Sequence, residues 1–313
     1  MSNPLVIGHR GACGYRPENT LESFALAFQQ GVTTIEFDLV LTKDAALVIR
    51  HENELSRTTD ISSRPEFADL ARWGELEGES VEGWFSEDLT LAQIKSLRAI
   101  ERMPVRRPLS ATCDGQFEIP SFGELLADSM VEGKTLIVEI KDGTHVSAID
   151  TNMGELVANE IAVSRYAERN INFVIESFSI ELLRQAKIAL VAHDISAKYF
   201  LPIDGDSITY AEIESLAQEF DGISIGMPML RESPQVVEQA QRLALPVYVF
   251  TARTENAKES VAKYFDSIIS CGVDGIFADQ PDLLLRHLGS AESPGVDSGL
   301  DPGVDSGNVS PHA

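Results

Sequence analysis

Short apolar segments and amphipathic segments alternate along most of the chain, and this alternation restricts the possible folds more than any other feature. Eight apolar segments have the length and composition of strands: Leu5–His9, Thr34–Val40, Leu136–Lys141, Phe173–Ser177, Leu190–Ile195, Gly222–Ile225, Pro246–Thr251 and Gly275–Ala278. Their nearly continuous apolar character is typical of strands buried on both faces. The pattern therefore predicts a parallel sheet that is covered by helices.

Segments with helical periodicity lie between the predicted strands. They cover Leu21–Gln30, Met153–Arg169, Ile180–Ala189, Tyr210–Glu219, Pro234–Leu243, Glu255–Tyr264 and Pro281–Leu288. Eight strands with interleaved helices predict an α/β fold, the TIM-type (β/α)₈ barrel, which usually takes about 250 residues. An open doubly wound sheet is the alternative, but no Gly-x-Gly-x-x-Gly dinucleotide-binding pattern follows the first strand.

Two segments depart from this alternation. An extra strand is predicted at Ala46–His51, and residues 52–120 after it form a polar inserted loop region following the second strand. Loops at this end of a barrel face the active site, so we predict a lid or specificity element. Residues 1–288 are assigned to the barrel domain with this insertion, whereas 289–313 repeat Pro-Gly-Val-Asp-Ser-Gly and predict a disordered acidic Gly/Pro/Ser tail.

The net charge of −24, from 49 acidic and 25 basic residues, limits the possible partners. Such a charge disfavours nucleic acid and anionic membrane surfaces. No apolar run approaches the roughly 20 residues of a membrane span, and the N-terminus lacks secretory signal features. We expect a cytoplasmic protein with a small-molecule substrate; the oligomeric state is not predicted. An anionic substrate would need a local cluster of cations or a metal ion.

Carboxylates share a face on two of the predicted strands. Side chains alternate along a strand, so Glu36 and Asp38 point the same way, as do Glu139 and Lys141 on another strand. Carboxylates that converge at a barrel mouth repel each other unless a cation, a shared proton or water lies between them. Three of them suit a hard divalent ion such as Ca²⁺ or Mg²⁺ better than zinc.

Two histidines occupy corresponding positions. Leu5, Ile7 and His9 share one face of the first strand, and Leu47, Ile49 and His51 share one face of the extra strand, so each histidine is predicted to end an inward-facing apolar run. A single histidine there is often only a hydrogen-bonded core residue. Two of them beside metal-type acids suit general acid and general base roles in phosphate-ester cleavage.

The loop after the first strand carries further candidates. Arg10 and Lys141 could bind phosphate, since a guanidinium grips two oxygens and an ammonium adds a point charge. Glu18 could support Arg10 or a metal-bound water. Asn19, with Glu22 three residues later, predicts a capping box for the helix at Leu21. Cys13 is interpreted as a passive loop residue.

The ordered motifs resemble those of one enzyme family. His9-Arg10-Gly11, Pro17-Glu18-Asn19-Thr20, Glu36-x-Asp38, His51 at a strand end, Glu139-Ile140-Lys141, Ser177-Phe178, Gly272-Val273-Asp274-Gly275-Ile276 and Asp279-Gln280-Pro281 follow one another here. In this order they resemble the glycerophosphodiester phosphodiesterases from about Leu5 to Leu288. The long segment after His51, with Arg57-x-Thr59-Asp60, resembles the longer bacterial members.

The resemblance implies specific roles and a reaction. Glu36, Asp38 and Glu139 would bind the metal, His9 and His51 would form the acid–base pair, and Arg10 and Lys141 would hold the phosphate. The implied reaction is metal-dependent hydrolysis of glycerophosphodiesters, such as glycerophosphocholine or glycerophosphoethanolamine, to glycerol 3-phosphate and an alcohol. Supporting roles are predicted for Glu18, Ser177, Phe178 and Arg253.

Two departures from the family pattern concern the choice of substrate. Many members have Trp-Thr-x-Asn on the seventh strand, whereas this chain has Phe250-Thr251-Ala252-Arg253. On the eighth strand, Ala278 precedes Asp279 where a threonine is more usual. Lysophospholipids are an alternative substrate class, because the same catalytic set would serve for them. A barrel that binds phosphodiesters without turning them over is a second alternative, although no acid, base or metal ligand is missing.

Overall fold

The computed structural model describes residues 3–76, 78–141, 152–205 and 207–291. The strands are β1 Leu5–His9, β2 Thr34–Leu41, β3 Leu47–Ile49, β4 Arg72–Leu76, β5 Glu79–Gly83, β6 Thr135–Ile140, β7 Asn172–Glu176, β8 Ala197–Ile203, β9 Gly222–Gly226, β10 Val247–Ala252 and β11 Gly275–Ala278. The α-helices are α1 Leu21–Gln29, α2 Leu91–Lys95, α3 Pro108–Ala111, α4 Phe122–Ala127, α5 Met153–Val163, α6 Ile180–Ala192, α7 Tyr210–Leu216, α8 Met227–Glu232, α9 Gln235–Gln241, α10 Val261–Ile269 and α11 Pro281–Ala291.

Eight parallel strands close into a TIM barrel in the order β1, β2, β6, β7, β8, β9, β10, β11, and β11 pairs with β1. The register places the polar residues at the strand ends next to one another. His9 is opposite Glu36, Asp38 is opposite Glu139, and Glu139 is opposite Glu176. Because all eight strands run the same way, these side chains meet at the carboxyl end of the barrel.

Side-chain alternation separates two apolar layers. Ile7, Ile137, Val174, Phe200 and Phe277 fill the barrel interior. Their sequence neighbours point outward and pack under the helices in a larger core. On each strand, the next inward-facing position after this interior layer lies at the mouth of the barrel. The polar side chains occupy these positions.

One predicted strand is wrong. The Leu190–Ile195 segment is not a strand, because α6 continues to Ala192 and the strand that follows it is Ala197–Ile203. Leu183, Ala186 and Leu190 are buried at helical spacing, so the apolar run belongs to the buried face of α6.

One predicted helix is misplaced. The Glu255–Tyr264 segment begins as a 3₁₀ turn at Thr254–Asn256, and α10 starts only at Val261. The Ser260 side chain caps α10 by accepting a hydrogen bond from the Lys263 backbone N–H. The start of this helix is therefore set by its cap, which the apolar periodicity did not indicate.

The 52–120 insertion, predicted as a loop region, has secondary structure and a core of its own. β4 and β5 form an antiparallel hairpin, and α2 and α3 lie in the same segment. Leu55, Ile61 and Leu97 of the insertion pack with Val40 of β2 and Val48 of β3. The insertion is thus built on the β2–β3 pair, where β3 runs antiparallel to the end of β2.

The packing of β3 corrects a further prediction. Leu47 and Ile49 do not face the barrel interior; they are opposite Leu41 and Leu39 and join the core under the helices. His51 reaches the mouth because the chain turns after β3, not because it ends an inward apolar run. For β1 the prediction is confirmed, since Ile7 lies in the barrel interior and Leu5 packs against it.

The final helix, α11, extends beyond Leu288 to Ala291, so residues 289–291 are helical rather than part of the predicted tail. Residues 292–313 of that tail lie outside the described part of the chain. Within the described part, none of the helices has the length and apolar character needed to cross a membrane.

Candidate active site

A cavity of about 480 Å³ opens at the carboxyl ends of the barrel strands. Eight of the predicted site residues line it: His9, Arg10, Glu36, His51, Glu139, Lys141, Phe178 and, from the loop after β10, Arg253. Asp38 is fully buried directly beneath. The structure therefore brings most of the candidate residues together at one cavity.

Three carboxylates form the floor of the cavity. Glu36, Asp38 and Glu139 each offer an oxygen, and these oxygens lie within 4.8 Å of one another. Lys141 Nζ is 2.8 Å from Asp38 Oδ1 and 2.5 Å from Glu139 Oε1. The Arg10 backbone N–H donates to Glu36 Oε2 at 3.0 Å, and Arg10 Nε is 3.4 Å from Asp38 Oδ2.

The pKa values of the three carboxyl groups are shifted in different directions by their surroundings. Burial, together with the charge of Asp38, holds the pKa of Glu36 well above its usual range. Burial also raises the pKa of Glu139. Although burial opposes it, Lys141 and Arg10 hold the pKa of Asp38 well below its usual range. The two raised values show that one lysine and one arginine do not fully compensate three buried acids.

Asn19 belongs to this cluster, contrary to the predicted capping box. The cap of α1 is Thr20, whose side chain accepts a hydrogen bond from the Ser23 backbone N–H. Asn19 has a positive φ of 57°, and its Nδ2 donates to Asp38 Oδ2 at 2.8 Å. Its Oδ1 is buried without a hydrogen-bond partner among the described residues. An asparagine oxygen of this kind is suited to a cation or to a metal-bound water.

The donor set fits a divalent cation of the Ca²⁺ or Mg²⁺ type. It consists of carboxylate oxygens with an incompletely satisfied amide oxygen beside them, and hard ions prefer oxygen ligands. The uncompensated negative charge is what such an ion would offset. Which of the two ions binds is not distinguished by these residues.

His9 is held from behind by Asp279. His9 Nδ1 lies 2.6 Å from Asp279 Oδ1, while Nε2 lies 3.9 Å from Glu36 Oε2 on the cavity side. A carboxylate on Nδ1 fixes the proton there, so Nε2 is left free to accept or return a proton. Burial and the neighbouring Arg10 lower the pKa of His9 to about 4.

His51 has a corresponding support. Its Nδ1 lies 2.8 Å from Glu52 Oε1. Burial, Arg10 and Lys141 lower the pKa of His51 to about 4. Two histidines, each with one ring nitrogen on a carboxylate, therefore meet at one cavity.

The remaining predicted residues lie at different positions relative to the cavity. Glu18 accepts from Arg10 Nη1 at 2.8 Å, in agreement with support for Arg10. Arg253 Nε donates to Asp279 Oδ2 at 3.0 Å. Phe178 is 41 % exposed in the cavity wall, with its ring edge-on to Phe250. Ser177 instead points away from the cavity, and its Oγ donates to the Ile140 carbonyl at 2.8 Å.

Cys13 is buried beside the site, with Sγ 3.9 Å from His9 Nδ1. Burial raises the pKa of this thiol well above its usual range, so the reactive thiolate is disfavoured. This agrees with the passive role predicted for Cys13.

Several residues of the site were not identified from the sequence. Glu52 follows His51 directly, and Asp279 lies in a recognised motif, so both carried a signal. Arg102 and Arg107 of the insertion contact these carboxylates, and no pattern in the sequence indicated them. Glu176 could have been found from the alternation of side chains along its strand. It shares a strand face with Val174, which fills the barrel interior.

Glu176 lines the cavity and accepts a hydrogen bond from Ser224 Oγ at 2.7 Å. Burial raises its pKa to about 8. A neutral carboxyl group can both donate and accept hydrogen bonds, which suits contact with a hydroxyl group in the cavity.

Glu176→Gln is expected to change the pH dependence of stability. In the unfolded chain Glu176 ionises near pH 4.5, whereas in the folded protein it keeps its proton up to about pH 8. Its contribution is therefore fully present below pH 4.5 and is lost as pH rises to 8, by about 1.4 kcal/mol per pH unit. Gln cannot ionise, so the free energy of unfolding of the variant should decline less over this range.

Urea unfolding of the metal-free protein at pH 5, 6, 7 and 8 measures this difference. The exposed Glu214→Gln change on α7 is the matched control and should follow the wild type. Parallel curves for the wild type and Glu176→Gln would contradict the prediction.

The fold and site together define a class, an α/β-barrel protein with an acidic cluster and two carboxylate-supported histidines at its mouth. The model of the glycerophosphoryl diester phosphodiesterase family matches residues 9–283. The chain belongs to this family.

Known relatives agree with this assignment. Glycerophosphodiester phosphodiesterase GDPD6 of Arabidopsis thaliana is 36 % identical over 126 residues, which is 40 % of this chain and 33 % of that protein. The aligned part thus spans about a third of that relative. A structure described as a glycerophosphoryl diester phosphodiesterase from Silicibacter pomeroyi is 27 % identical, with a TM-score of 0.70 over 93 % of this chain and 94 % of its own.

A second structure shares the fold at lower identity. An Oleispira antarctica phosphodiesterase, solved in complex with the product sn-glycerol-3-phosphate, is 22 % identical. Its TM-score is 0.66, covering 92 % of this chain and 97 % of that one.

Proposed function

We propose that this protein hydrolyses glycerophosphodiesters to glycerol 3-phosphate and an alcohol. The observation that carries the proposal is the meeting of His9 and His51 at one cavity above three acids, with a carboxylate oxygen within 2.8 Å of Nδ1 in each histidine. An acid–base pair next to a cation-binding cluster is well suited to phosphodiester cleavage. Family membership and the product bound to the Oleispira antarctica phosphodiesterase support this choice of substrate.

Arg10 and Lys141 are proposed to bind the phosphate. Both line the cavity, and their charges are maintained because, although burial opposes it, the neighbouring carboxylates raise the pKa of each group above its ordinary value. A phosphodiester would be held by their donors while negative charge builds on its non-bridging oxygens. Together with a divalent ion on the three acids, these two cations would supply the local positive charge that an anionic substrate needs.

Glu36, Asp38 and Glu139 would hold the divalent ion. When bound, such an ion supplies charge stabilisation at the phosphate oxygens. The proposal leaves both Ca²⁺ and Mg²⁺ as candidates.

Proton transfer is assigned to the two histidines. Because the pKa of each is lowered to about 4, both are neutral near pH 7 before substrate binds. One neutral histidine can take the proton of the attacking hydroxyl, and the other, once it is protonated in the substrate complex, donates a proton to the leaving alcohol. The negative charge of a bound phosphate favours the protonated form that the second step needs. Both water and the 2-hydroxyl of the substrate glycerol are suitable nucleophiles.

Lysophospholipids form a second candidate substrate class. One wall of the cavity is apolar, with Phe178, Phe250, Met227 and Pro228. An acyl-bearing glycerol could place its chain along such a wall, since burial of apolar surface is favourable.

The direct test is release of glycerol 3-phosphate from glycerophosphocholine in buffer containing Ca²⁺ or Mg²⁺. Glycerophosphoethanolamine is assayed in the same way, whereas lysophosphatidylcholine is assayed by choline release, because its phosphate-bearing product keeps the acyl chain. Turnover of glycerophosphocholine is the expected result, and turnover of lysophosphatidylcholine alone would favour the second candidate. Binding without turnover of any of the three would refute the enzymatic proposal in favour of a sensor.

We also propose that the barrel, which extends to Ala291 through α11, acts as one domain whose insertion contributes to the site. The cytoplasmic location and the lack of a nucleic-acid partner stay predictions from the sequence.

A further inference from the structure

The 101–107 segment of the insertion contacts four of the loops around the barrel mouth. Arg102 reaches two of them. It donates to Glu18 at 2.7 Å through both Nε and Nη2, and to Glu52 at 2.6 Å through both Nη1 and Nη2. Its guanidinium therefore lies between the carboxylate that supports Arg10 and the carboxylate that supports His51.

Arg107 reaches the opposite side of the mouth. Its side chain is only 4 % exposed, and it donates through Nη2 to Asp279 Oδ2. Nε donates to Glu255 Oε1 at 2.5 Å, and Nη1 donates to the Cys13 carbonyl at 3.0 Å. The other oxygen of Asp279 lies 2.6 Å from His9 Nδ1.

The two histidines thus have the same arrangement behind them: imidazole Nδ1, then a carboxylate, then an arginine of one short segment. A carboxylate that touches only an imidazole can rotate about its last torsion, which is broad. A guanidinium has fixed donor directions, so it restricts the carboxylate and, through it, the plane of the imidazole.

We propose that Arg102 and Arg107 are positioning residues that orient His51 and His9 through Glu52 and Asp279. The acid–base pair is then complete only when the insertion is docked on the barrel. This inference rests on the proposed function, because it concerns the residues that carry out the proposed reaction.

The segment itself is braced. The Glu101 backbone N–H donates to Asp114 Oδ1 at 2.7 Å, and the Arg107 backbone N–H donates to the Met103 carbonyl at 2.8 Å. Arg106 Nη2 donates to the Glu255 carbonyl at 2.7 Å, which ties the segment to the loop after β10. Arg102 and Arg107 therefore project from a turn with its own hydrogen bonds.

A purely structural role, in which the arginines only fasten the insertion, makes different predictions. It would reduce stability and affect kcat only through the folded fraction. A positioning role lowers kcat of the folded enzyme while the Michaelis constant changes little, because neither arginine lines the cavity.

The experiment is a double-mutant cycle with Arg102→Met and Glu52→Gln, assayed with glycerophosphocholine. Each single change is expected to lower kcat by about 10- to 100-fold, as loss of a supporting partner commonly does. Since Arg102 acts on His51 through Glu52, the double variant should be no slower than the slower single variant. Additive losses, or a normal kcat in folded Arg102→Met, would overturn the proposal.

Arg107→Met is assayed in the same way, and thermal unfolding confirms that each variant is folded. Arg64→Met is the matched control, because Arg64 also lies in the insertion but pairs with Asp60, away from both histidines. Its kcat should be unchanged. If Arg102→Met does not fold, Arg102→Lys replaces it, since lysine keeps the charge without the forked geometry.

Chemical rescue gives an independent readout. Guanidinium ion at millimolar concentration should raise kcat of Arg102→Ala severalfold and leave Arg64→Ala unaffected. The proposal would also be overturned if guanidinium did not rescue Arg102→Ala and this variant had the kcat and the Michaelis constant of the wild type. A wild-type protein without turnover would instead refute the proposed function, so the two failures are distinguishable.

Discussion

His9→Ala and His51→Ala are each expected to lower kcat for glycerophosphocholine by about 10²- to 10⁴-fold, the usual contribution of a general acid or base. Each histidine lines the cavity and has a buried carboxylate next to its Nδ1, so its other ring nitrogen is available to the substrate. Alanine removes the proton carrier and offers no replacement. Binding through Arg10 and Lys141 should persist, so the Michaelis constant should change much less than kcat.

Initial rates of glycerol 3-phosphate release measure the loss, and the thermal midpoint shows that the variants are folded. His193→Ala is the control, because His193 lies at the end of α6 and pairs with Glu155 rather than with the site. It should retain wild-type activity. Near-normal turnover in His9→Ala would remove His9 from the acid–base pair, and the same holds for His51.

Removal of divalent metal is expected to abolish turnover, with a loss of several orders of magnitude. Without a bound cation, Glu36 and Glu139 have raised pKa values because their buried charges are incompletely compensated. Charge on the phosphate oxygens then loses its main stabilisation. Dialysis against EDTA followed by addition of Ca²⁺ or Mg²⁺ should abolish and then restore the rate.

Glu36→Gln tests the same site without a chelator. The substitution keeps the shape and an oxygen that can accept from the Arg10 backbone N–H, but it removes a charge from the cluster. Calorimetric titration should show metal affinity reduced by at least about tenfold, since hard ions require carboxylate charge. Full activity in EDTA, or unchanged metal affinity in Glu36→Gln, would contradict the metal assignment.

The alternation of side chains along a strand explains why much of the site could be predicted. Glu36 and Asp38 share a face with each other, and Glu139 shares one with Lys141, so strand alternation alone brings them to the mouth of a closed parallel barrel. The family itself, confirmed by the match over residues 9–283, followed from the order of such motifs. These features depend on spacing within single strands, which a sequence displays directly.

Features that depend on contacts between distant segments were not predictable in this way. Asn19 has the composition of a helix cap, but the neighbouring Thr20 takes that position and the Asn19 side chain turns to Asp38. Arg102 and Arg107 resemble ordinary surface arginines in a polar segment, and only the docking of the insertion brings them to Glu52 and Asp279. Local pattern contains no information on that docking.

The pairing of His9 with Asp279 joins residues that are 270 positions apart and lie on or next to the first and last strands. During synthesis, a chain released only as far as α10 would contain both histidines and all three cluster acids but not the carboxylate behind His9. We therefore expect catalytic competence to appear late in biogenesis, when β11 pairs with β1. Recovery of turnover during refolding would then report closure of the barrel rather than formation of its separate βα units.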